Sequence, residues 1–236
     1  MEFDFSFMLE ALKAALKFTP TTLLLAIVPL ILGVVLGTGI AIIRLFKVKY
    51  LSEFFTIYVV IIRGIPLALL LLMTYFAFVQ GFDAIKNLFH LKIMSKDISL
   101  VYIALFTFTL YSTATISESI RGALASIDKG QYEGAYSIGL TKRQTLKRII
   151  LPQIVPITIP MLSNSFIGLV KGSSLAFMIS VTDLLNGALI TATGNYKFLE
   201  AYIAAALVYW VICIIIERIA YFYEGRLGLF NRRELV

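Results

Sequence analysis

The stretch DKGQYEGAYSIGLTKRQTLKRIILP, residues 128–152, decides how this chain is read. It is polar and basic, and apolar segments long enough to cross a bilayer lie on both sides of it. Two short helices are written into it. Asp128 with Gln131 three residues on has capping-box spacing, and Thr141 with Gln144 fits the box with its usual residue types. Gly139 falls between them, where a left-handed residue commonly ends a helix. Pro152 and Pro156 mark the entry to the next apolar segment. The first helix is too short to persist alone in water, so it needs packing on its own membrane domain or on a partner.

Working outward, the chain has 236 residues, 59% of them hydrophobic and 15% charged, with a mean hydropathy of +0.90. A soluble domain is roughly half apolar and about a quarter charged. A helix crosses the hydrocarbon core with about 20 mostly apolar residues. These numbers predict an all-α integral membrane protein of one domain. Five spans are expected, at about 20–43, 54–79, 98–116, 154–179 and 199–216. Residues 1–18, with Phe5, Met8, Leu9, Leu12 and Leu16 at spacings of three and four, predict an amphipathic helix in the membrane interface. That segment begins with Glu2 and Asp4 and has no basic start, unlike a cleaved signal. Arg63-Gly64-Ile65-Pro66 interrupts the second span, and Pro66 predicts a kink there, because it removes a donor and clashes with the preceding turn. Arg63 is expected to serve a structural role, through a carboxylate or helix end near that kink.

Charge sets the expected orientation. Arg44, Lys47, Lys49, Arg121, Lys129, Lys142, Arg143, Lys147, Arg148, Arg218, Arg226, Arg232 and Arg233 share one side of this topology. Lys13, Lys17, Lys86, Lys92, Lys96 and Lys197 share the other. Thirteen against six makes the first side cytoplasmic. The N-terminus is then outside, the C-terminus inside, and the 128–152 island cytoplasmic. Residues 80–97 and 182–198 become outer loops. The net charge of +7 is explained by this asymmetry rather than by nucleic acid. The lone Cys213 has no intrachain disulfide partner, and the lone His90 offers no metal cluster.

From the residues alone, three readings of the island stay open: a surface-lying connector, a DNA-binding helix-turn-helix, and a docking element for a cytoplasmic protein. Motifs then bear on the choice. Glu133-Gly134-Ala135, Gly139 and Ile149-Ile150-Leu151-Pro152 resemble the EAA loop of bacterial ABC-transporter permeases, with Gly134 in place of the usual Ala. Arg121-Gly122 and Gly130-Gln131-Tyr132-Glu133 resemble the corresponding pattern of polar amino-acid permeases. Arg63-Gly64-Ile65-Pro66-Leu67 is similar to their R-G-T-P-L. The resemblance implies that the island is a coupling helix between the third and fourth spans, seated in a groove of a separate ATPase. Glu133, Gly134, Ala135 and Gly139 would shape it, and Arg143 and Lys147 share one face able to meet acidic groups. It further implies two ATP-binding subunits that hold ATP and Mg, a second permease subunit (identical or paralogous), an extracytoplasmic solute-binding protein and an amino-acid substrate. No cofactor is expected in this chain. No G-x-x-x-x-G-K-[ST] loop appears in it, so it is not expected to be the ATPase or any other enzyme.

Charges at bilayer depth cost roughly 2.5–3.5 kcal/mol on the insertion scale, so those inside spans need a reason. Asn164, Gly168 and Lys171 recur on one face of the fourth span, with Ser165 beside it and Asp183 beyond. One reading is a substrate path: Lys171 and Asn164 donate to a substrate carboxylate, and Asp183 or the Asn164 carbonyl accepts from its ammonium. The other has Lys171 snorkelling to headgroups and Asn164 bonding a neighbouring helix. Family members often carry an acidic residue after the lysine. Here Gly172 follows Lys171, which disfavours a cationic substrate. Thr182-Asp183-Leu184-Leu185-Asn186-Gly187-Ala188 looks closest to permeases for cystine-like or other neutral polar amino acids. Two rival functions remain at this level, an ion-coupled carrier and a non-transporting membrane scaffold.

Overall fold

The computed structural model describes residues 3–89 and 97–226. Residues 90–96 of the expected outer loop, with His90, Lys92 and Lys96, lie outside the described residues. So do residues 227–236, with Arg232 and Arg233.

Helix α1 runs Phe5–Leu45 without a break. At 1.5 Å per residue it is about 60 Å long, twice the thickness of the hydrocarbon core. The segment expected at the interface and the span expected from 20 are thus parts of one continuous helix. Asp4 starts the helix, its side chain accepting from the Phe7 N–H at 3.0 Å. Pro20 and Pro29 lie inside it, and the Thr19 hydroxyl donates to the Ala15 carbonyl in the turn that Pro20 disturbs, at 3.1 Å. Phe5, Leu9 and Leu16 of the first turns stay exposed, a stripe free to face the membrane interface. The same turns pack through the opposite stripe, Phe7, Ala11 and Ala15, against alanines of later helices. Where lipid replaces water, small residues rather than large apolar ones mark the protein-facing side.

Helices α2 (Leu51–Gly64) and α3 (Leu67–Phe89) follow. They are bent by 110° relative to each other, far more than the kink expected at Pro66. Proline drives the residue before it out of the helical region, and Ile65 is extended at φ −96°, ψ 129°. The chain therefore stops one helix and starts another. Among the described residues four helices are long and apolar enough to cross a membrane, and the bent pair makes five if it counts as one span.

Helix α4 (Leu100–Ala125) packs more extensively on α1 than on any other helix. The island forms α5 (Lys129–Ser137) and α6 (Lys142–Thr145). Helix α6 passes through a π turn, Leu146–Ile150, directly into α7, Leu151–Gly172. The prolines at 152 and 156 thus lie within a continuing helix, and the expected separation of island from span is absent. Beyond α7 the chain tightens into a 3₁₀ segment, Ser173–Ile179. The expected outer loop at 182–198 contains a further helix, α8 (Leu184–Thr191), with Leu184 and Ala188 fully buried. Asp183 caps it, accepting from the Asn186 N–H at 3.1 Å. Helix α9 runs Phe198–Arg226.

Among the described residues four hydrophobic clusters hold the bundle, the smallest joining Ile40, Val59, Ile62, Leu70 and Ala114 of α1, α2, α3 and α4. Leu25, Leu71, Phe108, Val170 and Cys213 join α1, α3, α4, α7 and α9. Phe7, Ala11, Ala15, Leu184, Ala188 and Ala204 join α1, α8 and α9. Ala41, Ile116, Ile120, Leu146, Ile150 and Ile154 tie the π turn to α1, α4 and α7. The α1–α4 contact is close because Gly33 and Gly37 face Ser112, Thr113 and Ser117. The two ends of the bundle are also tied. Arg44 at the end of α1 donates to Glu118 on α4 at 2.9 Å, and Glu118 also pairs with Arg121. At the other end Lys197 pairs with Asp4, whose N–H donates to Glu200 at 3.2 Å. The island and the end of α1 are therefore at one end of the bundle, and α8 and the start of α9 at the other.

Candidate functional site: the coupling island and the polar cleft

The island is built as its caps dictate. The Asp128 carboxylate accepts from the Gly130 N–H. Neither half of the expected box with Gln131 forms: the cap bond goes to Gly130, the Gln131 N–H donates to the Asp128 carbonyl at 3.1 Å, and the Gln131 side-chain oxygen accepts from the Gln153 amide at 3.4 Å. At α6 the box closes in both directions, with Thr141 Oγ1 accepting from the Gln144 N–H and Gln144 Oε1 accepting from the Thr141 N–H. Between them the chain reverses at Gly139, with φ +81°. The Leu140 N–H donates to the Ala135 carbonyl at 3.0 Å and the Gly139 N–H to that of Tyr136 at 2.9 Å. These two bonds make a Schellman motif, which needs a left-handed residue at this position.

The side chains of α5 divide into two sets. Ala135 is buried, with 3% exposure, and anchors the helix inward. Tyr132 packs against the cluster beneath, and its hydroxyl, buried there, has no hydrogen-bond partner among the described residues. Burial pushes that hydroxyl's pKa up, and Tyr136 adds to the shift. Glu133, Gly134, Gly139, Arg143 and Lys147 are exposed, and so are Tyr136 and Ile138, the latter 75%. An exposed isoleucine beside an exposed tyrosine, rimmed by both charge types, is a surface suited to a protein partner. The sequence reading missed this apolar pair, although Tyr136 and Ile138 stand inside the motif it quoted. Leu146 and Ile150 are buried against Ile116, Ile120 and Leu124, so displacement of the island bears directly on α4 and α7.

The intramembrane residues are split between two cavities. Asn164, Ser165 and Gly168 line a cleft of about 430 Å³ between α4 and α7, opposite Tyr111, Ser112, Thr115 and Ser119. Every polar side chain of this cleft is uncharged. Asn164 is exposed, whereas the Ser165 hydroxyl donates to the Met161 carbonyl at 2.9 Å. Lys171 leaves this group. It lines a cavity of about 550 Å³ on the side of α9, with Ser174, Tyr202, Tyr209, Trp210 and Glu217. Glu217 was not singled out from the sequence, because the expected fifth span ended at 216. Asp183 reaches neither cavity wall. It is fully buried, accepting from Tyr209 Oη at 2.7 Å and Ser173 Oγ at 3.2 Å. Arg63 lies in the last turn of α2 and has no carboxylate within ion-pair distance among the described residues. Among those residues no cluster of metal-ligating side chains occurs.

Comparisons with known proteins bear on the family of the chain. Residues 30–228 match the family model of the binding-protein-dependent transport system inner membrane component. The chain is 34% identical over 234 residues to a probable amino-acid ABC transporter permease protein, PatM, of Vibrio harveyi, covering 97% of this chain and 98% of that one. It is 37% identical over 207 residues to the L-cystine transport system permease protein TcyB of Bacillus subtilis (strain 168), covering 87% and 83%. A crystal structure of an amino acid ABC transporter with histidines superposes with a TM-score of 0.81 at 27% identity, covering 96% of this chain and all of that one. The chain therefore belongs to the inner membrane components of binding-protein-dependent transport systems, the permease subunits of ABC transporters, in which ATP is bound and hydrolysed by a separate subunit.

Proposed function

We propose that this permease carries a neutral polar or cystine-like amino acid inward, through the cleft between α4 and α7. The observation that carries this reading is the lining of that cleft. Asn164, Ser165, Tyr111, Ser112, Thr115 and Ser119 offer hydrogen-bonding groups and no fixed charge. Such a wall suits a zwitterion that brings both of its own charges and is neutral elsewhere. The likeness to an L-cystine permease over most of the chain supports the same class.

In this reading the island lies on the cytoplasmic side and α8 on the outer side, as the lysine and arginine asymmetry supports. Glu133, Tyr136, Ile138, Arg143 and Lys147 meet the ATPase, with Ala135 and Gly139 fixing the helix that carries them. Two permease subunits, identical or paralogous, and two ATPase subunits assemble around a two-fold axis. A solute-binding protein delivers substrate at the α8 end. Closure of the ATPase pair moves the island, and the Leu146–Ile150 contact passes that motion to α4 and α7 as a rigid-body change. Lys171, with Glu217, lines a second cavity and stands outside this cleft.

The test is uptake into proteoliposomes holding the assembled importer, with labelled cystine, glutamine and arginine offered through the binding protein. Asn164→Leu is expected to lower uptake of the preferred neutral substrate at least tenfold while ATPase subunits stay bound, since a site that loses a hydrogen-bonding group leaves substrate polar atoms unpaired. Undiminished uptake by Asn164→Leu removes the cleft from the path.

A further inference from the structure

At the island end of the bundle, the turn between α1 and α2 closes over a cavity of about 450 Å³ that the transport reading does not use. Four cations line it, Arg44, Lys47, Lys49 and Arg121, against two carboxylates, Glu53 and Glu118. One of those carboxylates is already engaged: Glu118 binds Arg44 at 2.9 Å and pairs with Arg121 as well. Arg44 Nε also donates to Thr56 Oγ1 at 3.2 Å. Lys47 and Lys49 have no carboxylate within ion-pair distance among the described residues. The Lys49 ammonium lies 4.9 Å from the centre of the Tyr50 ring.

The turn that presents these lysines is fixed at a conformational cost. Lys47 and Tyr50 have φ of 49° and 64°, a region that residues with side chains occupy only when their surroundings hold them there. Helix α2 begins at Leu51 with no side-chain cap on its first turn, so its positive end adds to the cationic field. Val48 and Tyr50 are the apolar and aromatic members of the lining, and Phe46, Leu51 and Phe54 adjoin them in the chain. Phe46, Val48, Tyr50, Leu51 and Phe54 are all exposed, Tyr50 by 71%. Cations beneath and exposed apolar and aromatic side chains around them are the two halves of an interfacial lipid site, since aromatic rings settle at headgroup depth and basic residues attract anionic lipid.

We propose that this cavity binds the phosphate of an anionic phospholipid, with Lys47 and Lys49 as its principal ligands and the exposed apolar side chains of Phe46–Phe54 against the acyl chains. Arg44 and Arg121, held by Glu118, set the back wall. Glu53 limits the site to one phosphate by opposing further negative charge. The proposal is independent of the transported substrate and of the ATPase contact.

The full-length chain in neutral detergent, titrated with phosphatidylglycerol or phosphatidylcholine and read by native mass spectrometry, tests it. Phosphatidylglycerol is expected to be retained and phosphatidylcholine lost. Lys47→Gln with Lys49→Gln is expected to bind phosphatidylglycerol about 30-fold more weakly, each lysine near an anionic surface carrying about a factor of five. The paired Lys→Arg variant retains binding, and Lys13→Gln with Lys17→Gln, at the opposite end, leaves it unchanged. Equal retention of the two lipids, or undiminished retention by the Gln pair, overturns the proposal. So does displacement of the lipid by millimolar inorganic phosphate, which identifies a site for a free anion. If the Gln pair does not fold, the headgroup comparison and the phosphate competition on the native chain decide between the same outcomes.

Discussion

The Tyr209 hydroxyl donates to the Asp183 carboxylate at 2.7 Å, and that bond fastens α9 to the start of α8. The same carboxylate accepts from Ser173 at the end of α7 and from the Asn186 N–H. One residue on, the Leu184 N–H donates to Thr22 of α1 at 3.0 Å. Four helices are thus pinned within two residues of chain. The sequence reading offered Asp183 as an acceptor for a substrate ammonium, and the bonds it makes here leave it enclosed among protein donors.

Asp183→Leu leaves the Tyr209 hydroxyl and the Asn186 N–H without this acceptor in a buried site, whereas the Ser173 hydroxyl keeps the Val170 carbonyl at 2.9 Å. A loss of about 2–5 kcal/mol is expected, since each buried unpaired polar group costs about 1–3 kcal/mol. Tyr209→Phe removes one bond and should cost about 1 kcal/mol. Thermal unfolding of the detergent-solubilised chain, followed by size-exclusion chromatography, ranks the two. A stable Asp183→Leu chain that has lost only uptake would return Asp183 to the substrate path.

The contact between α1 and α4 predicts a different pattern. A Cβ at Gly33 would lie 2.2 Å from Ser112 Oγ and 2.9 Å from its Cβ, whereas one at Gly37 would lie 2.9 Å from the Ser117 backbone nitrogen. Both Gly→Ala changes are expected to destabilise, by about 1–3 kcal/mol as overpacking usually does. They differ in their remedy. Ser112→Gly clears the atoms that obstruct Gly33→Ala and should restore its stability, but it cannot relieve Gly37→Ala, where the obstruction is main chain. Unfolding midpoints of the two double variants provide the comparison.

How much of this was legible in the sequence depends on what kind of signal each feature leaves. The Thr141–Gln144 box and Gly139 are local, with caps and a left-handed residue determined within a few positions, and they appear where the spacing placed them. The apolar segments announced an all-helical membrane chain. What the sequence could not expose were features decided by tertiary packing. Gly33 and Gly37 stand four apart in an apolar run, a spacing that signals close helix approach, but the partner helix cannot be read from it. Residues 5–18 carry a large-apolar stripe that suggests an interface, yet alanines on the other stripe make the contact. Helix α8 was hidden because eight residues are too few for a span. Lys171 was placed with Asn164 by helical spacing alone. Spacing does not say that its long side chain reaches the cavity beside α9.

The Asp4–Lys197 pair ties the first turn of α1 to the start of α9, and it gives a pH dependence. The hydrogen bond from Lys197, followed by that from the Phe7 N–H, holds the Asp4 carboxyl below its ordinary value of 3.8. A carboxylate with a lowered folded-state pKa stabilises the fold above its unfolded value and loses that contribution as pH falls through the folded one. Protection of the first α1 amides from hydrogen exchange, corrected for intrinsic rate, should hold steady down to the carboxylate range and fall below it. Asp4→Asn should show less protection at neutral pH and no such fall. Because the pair is partly exposed, raising the salt concentration should reduce the difference between the two chains.

Gly139 offers the sharpest test of the coupling role proposed for the island. Its φ of +81° places it where a β-branched residue is strained by about 1–2 kcal/mol, and the Schellman bonds from Gly139 and Leu140 depend on that geometry. Gly139→Val should therefore disorganise the end of α5 and the exposed Tyr136 and Ile138 beside it, while the apolar spans insert as before. Gly139→Asn should be tolerated, since asparagine visits the left-handed region at little cost. Co-purification of the ATPase subunit with each variant gives the readout, with membrane yield of the permease as the internal control. The expected order is native, Asn and then Val, with recovery by Val reduced at least fivefold. A variant such as Ile138→Asp, which leaves the turn intact but places a charge on the exposed face, should lower recovery as well. If Val abolishes recovery and Ile138→Asp does not, the turn matters for the fold of the island and the partner surface lies elsewhere on it. If both lower recovery, Tyr136 and Ile138 belong to the face through which ATP-driven motion enters the membrane.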